Sequence, residues 1–171
     1  TTDAIIAMDL NTGKILWSIQ DSENDAWLAG CNGATPPENC PKDLGPDHDF
    51  GSPPILKTLA GGRTILVAGQ KSGNVWAHDP DNKGKVIWKT ALVNNTSEFG
   101  GKIVWGGAVD DQNAYFGLGP GRISSVQLRD GDRKWFTAPE LAPALAHPPG
   151  PRAPLAAAPH TRRPAPAAAQ F

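Results

Sequence analysis

A tryptophan recurs at a fixed distance behind a glycine three times in this chain, and that recurrence limits the folds open to it. The stretches are AMDLNTGKILW (7–17), AHDPDNKGKVIW (77–88) and SVQLRDGDRKW (125–135), in which Gly13 precedes Trp17, Gly84 precedes Trp88 and Gly131 precedes Trp135 by four residues. The tryptophans stand 71 and 47 residues apart. The shorter interval is near the ~40–50 residues of a four-stranded propeller blade. The longer one is expected to hold an inserted loop over residues 21–52. One small twisted sheet has two apolar faces and cannot bury both by itself, so blades stack around an axis. A large flat indole at the blade edge can fill the wedge between two blades, and the preceding Gly lets the turn close. Any one of these Trp residues could be ordinary core packing; three in register with Gly favour packing between blades.

The rest of the first 136 residues agrees with an all-β reading. Short apolar runs alternate with turns rich in Gly, Asn and Asp, where positive φ is tolerated. Strands are predicted at 4–10, 14–19, 64–68, 75–78, 85–92, 114–118, 122–128 and 132–136, and no stretch shows a sustained helical period. Asp9 and Asp79 are expected to cap turns, Asp110 and Asp111 to be turn residues, and His78 to sit at a blade edge. The formal charge is −1, which gives no broad pull toward nucleic acid or an anionic membrane. No apolar run reaches the ~18–20 residues that span a bilayer. The first residue is Thr1 rather than Met, so the missing signal peptide says nothing about export. GLGPGR (117–122) reads as a hairpin connection with no helix behind it to hold a phosphate. No G-x-S-x-G nucleophile elbow occurs.

Two further segments stand out. Cys31 and Cys40 bound the polar, turn-rich loop CNGATPPENC. Their spacing fits neither a zinc site nor c-type haem attachment. A short disulfide in an oxidising compartment is expected, against the alternative of two free thiols. From Thr137 to Phe171, 21 of 35 residues are Ala or Pro. Proline at that density blocks helix interiors and central strands, so residues 137–171 are expected to be disordered or polyproline-like. They are either a linker or, as the abrupt change in composition suggests, out-of-frame translation rather than native sequence.

The pattern A-x-D-x-x-T-G-K-x-x-W at 7–17 resembles the tryptophan-docking motif of the pyrroloquinoline quinone (PQQ) dehydrogenases. The second copy keeps Ala77, Asp79, Gly84, Lys85 and Trp88, with one extra turn residue, and the third keeps Gly131 and Trp135. Non-catalytic propellers, such as the outer-membrane assembly lipoprotein, use related repeats. GPDHDFGSPPIL (45–56), VAGQKSGNVWAHD (67–79) and GGKIVWG (100–106) look most like the polyvinyl-alcohol dehydrogenase branch. The resemblance implies a partial β-propeller over residues 1–136, about three of the family's eight blades.

It also implies PQQ and calcium as cofactors, oxidation of a secondary or polymeric alcohol, cytochrome c as electron acceptor and a periplasmic full-length form. Asp49 falls on the family's catalytic aspartate, a general base on the substrate hydroxyl or a ligand to calcium. Lys71 falls where a cation hydrogen-bonds the quinone oxygens, and Trp105 on the wall of the cofactor channel. From the residues alone, Asp49 reads as an ordinary turn Asp and Lys71 as a solvated turn residue. His48 and Phe50 replace the Trp and Tyr commoner in the family. Cys31 and Cys40 are not adjacent, so they cannot form the family's ring of neighbouring cysteines. The remaining calcium ligands, Glu and Asn, and the Trp that stacks under PQQ are not found. The rival reading is a non-catalytic propeller serving protein binding or assembly. The enzyme reading requires Asp49 and Lys71 to converge. The chain by itself is expected to be marginally stable and aggregation-prone, to bind PQQ poorly and to show no dye-linked dehydrogenase activity.

Overall fold

The computed structural model describes residues 2–93, 102–119 and 121–137; the remainder of the tail lies outside them. The chain divides into two units, Thr1–Glu140 and Leu141–Phe171, and every described residue belongs to the first. Apart from a single 3-10 turn at Pro80–Asn82, the described secondary structure is β. A hairpin of β1 (Ala4–Met8) and β2 (Ile15–Gln20) comes first. It is followed by an antiparallel sheet of β3 (Ile55–Thr58), β4 (Thr64–Gly69), β5 (Asn74–Asp79) and β6 (Lys85–Ala91). A second sheet contains β7 (Gly107–Val109), β8 (Asn113–Leu118), β9 (Arg122–Gln127) and β10 (Arg133–Thr137). In both sheets the strands pair in chain order, the meander of a propeller blade. The described residues thus form a partial β-propeller: two full blades, preceded by the outer hairpin of another. Strand β7 is only three residues long and begins with Gly, which leaves little alternating pattern to read.

The outer hairpins share one construction. Trp17 lies opposite Ala7, Trp88 opposite Ala77 and Trp135 opposite Ser125, each beside a break in register. A small residue across the strand leaves room for the indole. In the turns, Gly13, Gly84 and Gly131 all have φ near +70°, a conformation that favours Gly. Each donates its N–H to a backbone carbonyl, on Asp9, Asp79 and Gln127 respectively. The Asp9 carboxylate accepts the amides of Asn11 and Thr12, and that of Asp79 the amides of Asp81 and Asn82. Both therefore serve as turn caps.

The glycines have a second task, set by the next blade. A Cβ on Gly84 would lie 2.6 Å from the Trp17 ring, and one on Gly131 would lie 2.6 Å from the Trp88 ring. Each indole seats on the turn glycine of the following blade. Trp88 also donates its Nε1–H to Leu128 O at 3.0 Å, and Thr90 its hydroxyl to Gly131 O at 2.6 Å. Beside this seat, Ile65, Val67, Val75, Ala77 and Leu92 of the second blade pack against Ile103, Ala114, Phe116, Leu118, Val126 and Leu128.

His78 departs from expectation. It is not at an edge: it lies on the interior strand β5 and is fully buried. Its Nδ1 is 2.9 Å from Gly84 O. A carbonyl can only accept, so Nδ1 carries the hydrogen. Nε2 lies 3.1 Å from the equally buried Asp21 carboxylate. The glycine under Trp17 is therefore pinned from behind by a buried His–Asp pair that reaches the insertion after β2.

At the turn between β7 and β8, Asp110 accepts the Tyr115 hydroxyl and the amides of Gln112 and Asn113. The Tyr115 bond first, then the amides, pull its pKa down from 3.8 to about 2. A lowered carboxylate stabilises the fold above its ordinary value, and that stabilisation is lost as pH falls through about 2. NMR titration is expected to place the Asp110 midpoint there in the wild type and nearer 3.8 in Tyr115→Phe.

Candidate cofactor site

Asp49, Lys71 and Trp105 lie far apart in sequence, yet each sits in a connection at the same end of the sheets. Asp49 precedes β3, Lys71 lies in the β4–β5 turn, and Trp105 precedes β7. The turn is tied to the segment before β3 by the backbone bond from Lys71 N to Asp49 O, 3.0 Å. The Lys71 ammonium lies 3.0 Å from the Asp49 carboxylate and 3.0 Å from that of Asp47. Asp47 in turn accepts Lys102 Nζ at 2.8 Å. The chain Asp49–Lys71–Asp47–Lys102 alternates in charge; Lys71, Asp47 and Lys102 line a cavity of about 730 Å³, while Asp49 borders a neighbouring cavity with Asp3, Asp25 and Trp27. Val104, Leu118 and Ile123 supply apolar wall to the first cavity, and the largely exposed Trp105 ring flanks them.

The electrostatics follow from this geometry. Burial disfavours the charged form of Asp47, but the Lys102 and Lys71 hydrogen bonds outweigh it and hold its pKa below the ordinary value. Burial likewise opposes the Lys71 charge, and the bonds to Asp49 and Asp47 prevail, so its pKa is raised. Both groups are held charged at neutral pH.

The insertion after β2 sets the position of Asp47. It contains no helix or strand. It is closed on itself by a disulfide between Cys31 and Cys40, with a Cα–Cα distance of 5.5 Å, and by Ala26 N donating to Leu44 O. Asp25 is buried, and its carboxylate accepts the consecutive amides of Asp47 and His48. Asp47 itself has φ +64°. Two successive amides converging on one anion form a backbone nest, and here the anion is a side chain of the same loop. Asp25 thereby orients the turn that carries Asp47 and leads to Asp49. The Lys71 ammonium also lies 6.0 Å from the Trp27 ring centroid.

Asp47, Lys102 and Asp25 were not among the residues expected to form the site. Lys102 lies within GGKIVWG and Asp47 within PDHD, both noted for other residues. No spacing rule links a lysine at 102 to a carboxylate at 47. For calcium the residues do not suffice: among the described residues no three acidic, His or Cys side chains are grouped to hold a metal. For an anionic planar quinone the fit is better, because ammonium donors, an indole face and apolar wall meet at one cavity. No described helix is long and apolar enough to cross a membrane.

Known proteins align with this architecture. Residues 1–148 match the PQQ_2 family, described as outer membrane protein assembly factor BamB. The chain is 42% identical over 147 residues to a polyvinylalcohol dehydrogenase of a Pseudomonas species, covering 81% of this chain and 22% of that protein. It is 35% identical over 145 residues to the polyvinylalcohol dehydrogenase of Sphingopyxis sp. strain 113P3, covering 78% and 22%. It thus spans about a fifth of the length of these curated relatives. Among solved structures, that of BamB from Moraxella catarrhalis covers 79% of this chain and 31% of the other, at 19% identity and a TM-score of 0.47. With the family match extending over most of its length, the chain belongs to the PQQ_2 family of repeat proteins.

Proposed function

We propose that these blades are part of a PQQ-dependent dehydrogenase that oxidises a secondary or polymeric alcohol of the polyvinyl-alcohol type and passes electrons to a cytochrome c. The observation that carries this reading is the contact between Asp49 and Lys71, the ammonium that lines the cavity beside Trp105. A cation and a carboxylate side by side, next to an aromatic face, are what hydride abstraction from an alcohol onto a quinone requires. PQQ, when bound, accepts the hydride.

The protein's own residues do the rest. An ammonium has three donors; Lys71 uses two on Asp47 and Asp49, which leaves one for a quinone oxygen. Its positive charge favours the negative charge that develops there on reduction. Asp49 takes the proton of the substrate hydroxyl as general base. Trp105 offers a flat wall beside the ring. Calcium belongs to the same reading with Asp49 as a carboxylate ligand, but no step is drawn through it, since its other donors are not among the described residues. The disulfide supports an oxidising compartment such as the periplasm. Thr137, expected to open the tail, instead ends β10 opposite Ile123; the sequence after it is read as a linker or as out-of-frame sequence.

The non-catalytic scaffold is the competing reading, and PQQ titration followed by tryptophan quenching separates the two. Binding to this chain is expected to be weak, because much of the family's donor set is not among the described residues. Lys71→Gln is expected to weaken it by roughly 10- to 100-fold, the worth of one hydrogen bond to a charged group. Equal affinity in Lys71→Gln, or equal quenching by an uncharged quinone, would overturn the dehydrogenase reading and leave the scaffold.

A further inference from the structure

The insertion between β2 and β3 builds a second cavity besides holding Asp47 in place. Apart from Thr2 and Asp3, every residue around the cavity that Asp49 borders belongs to this insertion. The cavity measures about 480 Å³, within the ~300–1,000 Å³ usual for small-ligand sites. Two short runs, Trp27–Leu28 and Asn39–Pro41, supply much of its wall. The Cys31–Cys40 disulfide ties these runs together: Cys31 N donates to Leu28 O at 3.2 Å, and Cys40 lies between Asn39 and Pro41. Trp27 and Leu28 are 41% and 42% exposed, so both offer apolar surface to a ligand.

The carboxylates do not make this cavity a net anionic hole. Asp25 is bound by the amides of Asp47 and His48, Asp47 by Lys71 and Lys102, and Asp49 by Lys71. Burial, and then the charge of Asp25, raise the pKa of Asp3, which favours its uncharged form. What remains is acceptor capacity. Lys71 donates to Asp49 Oδ2 at 3.1 Å, whereas Oδ1, buried and 3.0 Å from the same ammonium, receives no hydrogen bond from any described residue. Compensated carboxylates beside an indole face suit a neutral ligand with hydroxyl donors and carbon–hydrogen faces better than they suit a cation. The two cavities adjoin: Asp47 lines both, and Lys71, on the wall of the first, lies 6.0 Å from the Trp27 ring centroid.

We infer, resting on the dehydrogenase reading, that the alcohol chain lies in this second cavity and the quinone in the first, and that Trp27 selects for a chain over a short alcohol. One hydroxyl donates to Asp49 Oδ1, and the carbon–hydrogen faces of neighbouring units rest on Trp27 and Leu28. A chain with a hydroxyl on every second carbon presents both kinds of contact in turn. A short alcohol reaches Asp49 and leaves the indole bare.

Two-dimensional ¹⁵N NMR of the 171-residue chain tests this. The probe is a hydrolysed vinyl-alcohol oligomer, with polyethylene glycol of equal length as the control lacking hydroxyls along the chain and 1,4-diaminobutane as the cationic one. The oligomer is expected to shift the Trp27 indole N–H and the amides of residues 25–28 and 47–49, and to leave the Trp105 indole unmoved. Trp27→Ala is expected to weaken its binding about 10-fold, as for a contact Trp. Leu28→Ser tests the same wall should that variant fail to fold. Shifts confined to the Trp105 cavity, equal binding of polyethylene glycol or of the diamine, or unchanged affinity in the variants would overturn the inference. The PQQ titration separates it from the reading it rests on. PQQ binding without oligomer binding sinks the second cavity alone, whereas oligomer binding at Trp27 without PQQ binding keeps that cavity and sinks the dehydrogenase.

Discussion

His78→Leu is expected to lower the unfolding free energy by about 3–5 kcal/mol, the usual effect of leaving a buried carboxylate without its partner. The loss does not come from the imidazole's own packing, since leucine is comparably apolar. It comes from Asp21, whose carboxylate is 2% exposed and faces His78 Nε2 at 3.1 Å. Without the ring, that carboxylate stays buried with apolar leucine in place of the polar group it faces. Gly84 O also loses the Nδ1 donor. Urea denaturation would measure the drop. The diagnostic result is rescue: adding Asp21→Leu is expected to restore most of the stability, because removing both members leaves no orphaned charge. If the double variant is no more stable than the single one, the pair does not act as a unit.

Trp88→Ala is expected to cost a similar amount, about 3–5 kcal/mol for a large buried aromatic. The ring fills the seat over Gly131, and its Nε1–H is the donor for Leu128 O. Alanine would empty the seat and leave that carbonyl unpaired between two blades. Trp135 serves as the internal control. It occupies the same motif position but is 45% exposed, so Trp135→Ala is expected to cost no more than about 1 kcal/mol in the monomer. A folded domain has only about 5–15 kcal/mol in reserve, so the first substitution is expected to leave much of the chain unfolded at 37 °C and the second not. Equal losses at the two positions would show that the motif Trp acts within its own blade rather than on the next.

Much of this was legible beforehand. The Gly–Trp repeat announced the blades, and the strands around it follow from alternating apolar residues between turn signals. Strands β3 and β7 were not among those expected, because Ile55–Thr58 and Gly107–Val109 are runs too short to show a period. Of the site, Asp49, Lys71 and Trp105 could be named only through family resemblance, since an Asp before a strand and a Lys in a tight turn are common. Asp47, Asp25 and Lys102 had no such marker. Asp25 is a lone carboxylate in a loop without regular structure, and its importance lies in two amides more than twenty residues away. His78 was expected at a blade edge, and only its partners explain its burial.

By itself the sequence determined the local units: turns where Gly, Asn and Asp permit positive φ, strands of period two, and an indole at one place in each repeat. Those are properties of neighbouring residues, and neighbours in sequence carry them. The three-dimensional packing decided which glycine receives which indole, how one ammonium comes to be shared by Asp47 and Asp49, and which charges are buried together. Such pairings depend on the twist and stacking of separate sheets, which bring together groups that no spacing along the chain connects.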